Sequence, residues 1–136
     1  MLEIELIVNS ILVGIILITQ FISYPLFLKV HFTDFKEYHT VYTKSIFYIV
    51  TPFMIIELFI NIYNFYHFRT IQPLYFSSSF ILLFIWLSTI LIQLPLHNNV
   101  SFHYDKLFIK QLIKSNWIRT GLWITKLLIL INIKEL

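Results

Sequence analysis

The chain has no cysteine, no alanine and only two glycines, and Asp, Glu, Lys and Arg together make up 12% of its 136 residues. Without cysteine there is neither a disulfide framework nor a thiolate metal site, and the redox state of the compartment leaves no mark. With no alanine and no GxxxG pair, the small-residue contacts that often draw membrane helices together are missing. A formal charge of +3, spread without a basic run, excludes nucleic acid as an expected partner. No nucleotide, flavin or thiolate motif is present, so no cofactor is expected.

What fills the sequence instead is hydrocarbon. It is 58% hydrophobic, with a mean hydropathy of +0.79, beyond the balance of a soluble domain. The length is that of one domain. Four apolar stretches, about 6–28, 44–66, 74–96 and 116–133, stand out. Each is of the length that crosses a bilayer core of roughly 30 Å at about 1.5 Å per residue. The first is not a signal peptide: Glu3 and Glu5 stand where basic residues belong, the run is too long, and no small-x-small site follows. It is expected to be retained.

The predicted fold is therefore all-α, an integral membrane four-helix antiparallel bundle with short connections. Thr33 or Asp34 caps a second helix that runs to Tyr66, bent at Pro52. Pro95 makes the end of the third span irregular, and Asn98 and Asn99 break it. Residues 104–115 read as a short amphipathic interfacial helix before the fourth span. Leu107, Phe108 and Leu112 face one way, and Lys106, Lys110 and Lys114 another. His31, His67 and His103 sit in connections as interface residues. No internal repeat is evident. Lys29, Lys36, Lys44, Lys106, Lys110 and Lys114 flank the first and third connections, against Arg69 and Lys134 on the other side. That bias puts the first and third connections in the cytoplasm and both termini on the non-cytoplasmic side of an inner membrane.

Polar residues in the spans fall on stripes, and their cost in lipid turns those stripes toward one another. Trp86, Thr89, Gln93 and His97 share a face of the third span at helical spacing. Asn116, Arg119, Trp123 and Lys126 form a stripe on the fourth. Counting rise per residue from the cytoplasmic edge places Tyr24, Gln93 and Arg119 within two turns of it, with His97 at the edge. A bend in the second helix brings His39 over the mouth. Gln20, Tyr24, His39, Trp86, Gln93, Asn116, Arg119 and Trp123 are the candidate pocket, with His97 as a proton-transfer group because imidazole titrates near neutrality. Arg119 has two readings: it snorkels to lipid phosphate, or it turns inward to hold an anionic or carbonyl-bearing ligand.

Glu57 and Lys126 lie deeper, where an isolated charge is costly. They are expected to form an ion pair, with Asn61 or Gln20 as a hydrogen-bonding neighbour. The pair either fixes helix packing or serves function. His39 and His97 with Glu57 make a conceivable metal set. No HExxH or ExxH accompanies them, and no metal site is assigned.

The combination of WLSTxxxQxPLH (86–97) and NWIRTxLW (116–123) resembles bacterial integral membrane proteins of four spans. In these a YPLF segment ends the first helix (Tyr24–Phe27 here) and a PxxxEL segment lies in the second (52–58 here). The arrangement is also similar to the anthrone-oxygenase-like membrane family, with its P-L-N element after helix three and H-x-x-R-T element opening helix four. Here these become Pro95, Leu96, His97 and Asn116, Arg119, Thr120. His97 stands where that family has Asn, and Asn116–Trp117 where it has Trp-His. The resemblance implies a four-helix fold with a polar interior, and cofactor-free oxygenation of a hydrophobic phenolic substrate.

The expected partners are the lipid bilayer, a hydrophobic small molecule, and a second copy or a larger membrane complex. The expected function is binding or modifying a small lipid-soluble molecule in a polar pocket near the cytoplasmic side. An accessory or structural subunit of a membrane complex, and an oligomeric transporter, are the alternatives. Whether the chain is an enzyme stays open at this point.

Overall fold

A computed structural model describes residues 1–67, 72–102 and 104–136. It is 94% helical, with four long helices and no strand among the described residues. Arg69, counted for orientation, and His103, expected at the interface, lie outside those described. The first helix is Leu2–Phe27 and the second Phe32–His67. The third spans 72–102, and the fourth is Lys106–Glu135. The first three are long and apolar enough to cross a membrane. The fourth carries Lys106, Lys110, Lys114, Arg119, Lys126 and Lys134 along its length.

Each helix packs on two others: the first and third both lie against the second and the fourth. The start of the first helix meets the end of the fourth, where Lys134 Nζ and Glu3 Oε1 are 3.7 Å apart at the surface. The other end is closed by Tyr24, Phe27, Phe35, Val100, Ile109 and Leu112, packed as one buried cluster. A second cluster at mid-length joins Leu12, Ile16, Met54, Ile85 and Trp123. Outward faces are rich in Ile, Leu and Phe, such as Ile7, Phe21, Phe59 and Leu91, as a lipid-facing surface requires. Neither glycine is a packing notch, since a Cβ at Gly14 or Gly121 would meet no atom within 4 Å.

The structure departs from these expectations in several places. Residues 104–115 do not form a separate interfacial helix: from Lys106 on they are the first turns of a continuous 30-residue helix. Asp105 caps it, its Oδ1 accepting from Leu107 N–H at 2.8 Å. No proline interrupts it, and Ile109 and Leu112 are fully buried against neighbouring helices. The third helix passes through Asn98 and Asn99 to Phe102; asparagine lowers helix propensity without forbidding a helix. Glu5, expected to flank the first span, is completely buried within the first helix.

A further difference is a local repeat. Both the first and third helices contain a π turn, Thr19–Ser23 and Thr89–Gln93. Each ends two residues before a proline, Pro25 or Pro95. Proline has no N–H and its ring crowds the carbonyl one turn back, so widening the preceding turn relieves the clash. Each π turn also begins at a threonine whose hydroxyl donates to the carbonyl four residues earlier, Thr19 to Ile15 at 2.9 Å and Thr89 to Ile85 at 2.8 Å. The shared pattern is T-x5-P-L. Tyr24 and His97 follow these two turns, and their side chains meet at 2.9 Å.

Candidate functional site: a buried polar core with an adjoining cavity

The deep part of the core is ionic. Lys126 Nζ lies 2.9 Å from Glu5 Oε1 and 3.0 Å from Glu57 Oε1, and all three side chains are fully buried. Glu57 also accepts from Asn9 Nδ2 at 2.7 Å and from Trp123 Nε1 at 3.3 Å. Glu5 accepts from Asn61 Nδ2 at 2.8 Å and Asn64 Nδ2 at 2.7 Å. Each carboxylate therefore has two neutral donors besides the shared ammonium, which offsets the desolvation that makes buried charges expensive. Of the two neighbours expected for Glu57, Asn61 belongs to Glu5. Gln20 is elsewhere, accepting from Asn116 Nδ2 at 2.9 Å and donating to the Ile113 carbonyl at 3.2 Å.

Arg119, 8% exposed, is the other buried cation among the described residues. Trp123 joins the two: its ring carries the Arg119 guanidinium 5.1 Å from its centroid, and its indole N–H reaches Glu57. Arg119 is thus buried inside the helices and does not reach outward to lipid. It lies beside the phenols of Tyr24 and Tyr42. Its Nη1 is 3.5 Å from Asn116 Oδ1, and its Nε–H is buried with no hydrogen-bond partner.

Toward the other end runs a chain of hydrogen bonds. Tyr24 Oη is 2.9 Å from His97 Nε2, His97 Nδ1 is 3.0 Å from His39 Nε2, and His39 Nδ1 is 2.9 Å from Ser101 Oγ. Ser101 also donates to the His97 carbonyl at 2.9 Å. That last bond fixes the direction of the rest. With its one proton given away, Ser101 accepts from His39 Nδ1–H. His39 Nε2 then accepts from His97 Nδ1–H, and His97 Nε2 accepts from the Tyr24 hydroxyl. Both imidazoles are neutral in this arrangement. The second helix brings His39 to full burial, one bond behind His97. These ring nitrogens bond each other directly, and Glu57, the third member of the conceivable metal set, is bonded to Lys126. Among the described residues no group of three or more His, Cys, Asp or Glu is placed to hold a metal.

Between the ionic core and this chain lies a cavity of about 360 Å³. Its polar lining includes Tyr24, Gln93, His97 and Arg119, and its apolar lining Leu12, Ile16, Met54 and Trp123. Gln93 Nε2 donates to Ser115 Oγ at 2.9 Å, so its Oε1 faces Tyr24 Oη at 3.4 Å. Five of the nine residues assigned to the pocket from sequence, counting His97, line this space. Gln20, Asn116 and His39 stand behind it and hold Arg119 or His97 in place. Trp86 is apart: it packs on the mid-length cluster, with its Nε1–H buried and unpartnered.

Sequence reasoning missed Glu5 and Ser101; Asn9 falls near the face of the first span that carries Gln20 and Tyr24, and the structure gives it to Glu57. Glu5 is four residues before Asn9 on the face that also carries Leu12 and Ile16, just ahead of the apolar stretch that begins at residue 6. Ser101 follows Asn98 and Asn99, where the third span is expected to break. Comparison with known protein families, with curated proteins and with solved structures finds no match.

Proposed function

We propose that the chain is a four-span antiparallel membrane bundle of a bacterial inner membrane, with both termini on the non-cytoplasmic side. Its cavity binds or chemically alters a small lipid-soluble molecule bearing an oxygen acceptor. The observation that carries this reading is the unpartnered Nε–H of Arg119, a buried charged donor on a residue that lines the cavity. A buried donor without a partner costs about 1–3 kcal/mol, more when charged, and a bound acceptor removes that cost. The cavity volume falls at the small end of the range for ligand sites, about 300–1,000 Å³.

In this reading Arg119 and Gln93 hold the polar end of the ligand, and Tyr24 and Trp123 flank its body. A proton leaving the ligand is taken at Tyr24 Oη as the Tyr24 proton moves to His97 Nε2 and the His97 Nδ1 proton to His39 Nε2. The charge then rests on His39 rather than beside Arg119. The Glu5–Lys126–Glu57 cluster holds the helices in register. Proximity of Lys-rich connections to the His97 end supports a cytoplasmic mouth. The test is incubation of purified protein with a membrane lipid extract, followed by identification of what is retained. The wild type is expected to enrich one or a few molecules, and Arg119→Ala and His97→Ala to lose them. Equal retention by all three sinks the reading.

A further inference from the structure

A cavity of about 360 Å³ accommodates a head group and a few carbons, not a whole lipid. On the second helix its lining includes Phe47, Tyr48 and Thr51. The same three residues form one side of a second, apolar groove of about 380 Å³, completed by Pro52, Ile55 and Ile56. Phe47 and Tyr48 are 59% and 76% exposed, and Ile55 and Ile56 are 41% and 44% exposed. The groove therefore faces outward, toward hydrocarbon if the second helix spans the bilayer. Pro52 lies in its floor, where the missing N–H leaves the Tyr48 carbonyl without its helical donor. Cavity and groove share a boundary, with a buried cationic donor at the inner end and only apolar surface at the outer.

We propose that the ligand is a single-chain lipid whose carboxylate or carbonyl head meets Arg119 and whose tail leaves between Phe47 and Tyr48 to lie along the groove over Pro52. Thr51 marks the passage and the second helix is the portal. The inference rests on the cavity being a binding site and adds which class of molecule fills it. A polar head alone has no use for the groove. A rigid, compact ring system has no part that reaches it.

The experiment measures binding of tritiated straight-chain carboxylic acids of four, eight and twelve carbons to the protein in nanodiscs. Wild type is compared with Ile55→Trp and Ile56→Trp, both at the groove and away from the cavity lining. Dividing wild-type by variant affinity for each acid cancels its partition into the lipid. That ratio is expected to stay within twofold at four carbons and to exceed tenfold at twelve. A ratio flat across chain length overturns the tail placement. Loss of all three acids in Arg119→Gln, with such a flat ratio, leaves the cavity reading intact while rejecting the portal. Binding unaffected by Arg119→Gln overturns both. The methyl esters separate the two heads: retained affinity indicates a carbonyl acceptor, and loss a carboxylate.

Discussion

Glu5 and Lys126 are 121 positions apart in sequence and meet at 2.9 Å, with neither side chain exposed. That contact ties the start of the first helix to the fourth, and through Glu57 to the second. One amino group thus serves two carboxyl groups.

The sharing predicts a particular pattern of non-additivity. Glu5→Gln or Glu57→Gln leaves one carboxylate facing Lys126, a balanced pair, and each is expected to cost about 1–2 kcal/mol. The double variant leaves a buried, unpaired ammonium and is expected to cost more than the two single losses together; Lys126→Met, which leaves two carboxylates without their cation, is expected to cost about 3–5 kcal/mol. Unfolding in detergent by denaturant or heat reads the cycle. Additive losses would show that the two carboxylates do not share the cation.

The direction of the hydrogen-bond chain predicts tautomers. His97 and His39 are both expected to carry their proton on Nδ1, with Nε2 as acceptor. Nitrogen-15 NMR of histidine-labelled protein distinguishes the two ring nitrogens directly. Tyr24→Phe removes the donor to His97 Nε2 and should shift that nitrogen while leaving the His39 tautomer in place. A proton on His97 Nε2 in the wild type contradicts the assigned chain.

The π turn before Pro95 predicts a substitution that preserves helix and loses the site. Pro95→Ala restores an N–H able to bond the Leu91 carbonyl, so the turn can close to α-helix. Removing the extra residue rotates the C-terminal part of the third helix by about 100°, which carries His97 away from Tyr24. Helical content by circular dichroism is expected to be unchanged, and the His97 nitrogen-15 signal to lose its Tyr24 dependence. A variant in which that dependence persists shows that the bulge does not aim His97.

Orientation is open to direct labelling. Asn99 is exposed near the His97 end. In the proposed topology Asn99→Cys reacts with an impermeant thiol reagent only after the cells are opened. The natural chain has no cysteine, so the background is nil. Labelling of intact cells reverses the topology.

Helix content and the apolar runs were legible in the sequence because composition and charge-free length leave few alternatives. The meeting of Tyr24, Gln93, His97 and Arg119 was legible too, since depth along each helix follows from rise per residue. The partners of Lys126 were only half legible: Glu57 stands out as a charge inside an apolar run, whereas Glu5 sits where a terminus begins and looks solvated. The π turns were hidden, because proline announces a disturbed turn without saying which side of it will widen. Continuity of the fourth helix was masked by its lysines. Lys106, Lys110 and Lys114 suggested a surface segment, yet Ile109 and Leu112 between them are fully buried.

The most direct test of the cavity as a binding site is a crystal structure of the protein grown from a lipid phase. Density for a non-protein molecule is expected in the cavity lined by Tyr24, Gln93, His97 and Arg119, with an oxygen within about 3 Å of Arg119 Nε. A cavity holding only ordered water, or an Arg119 side chain turned out to the lipid, contradicts it.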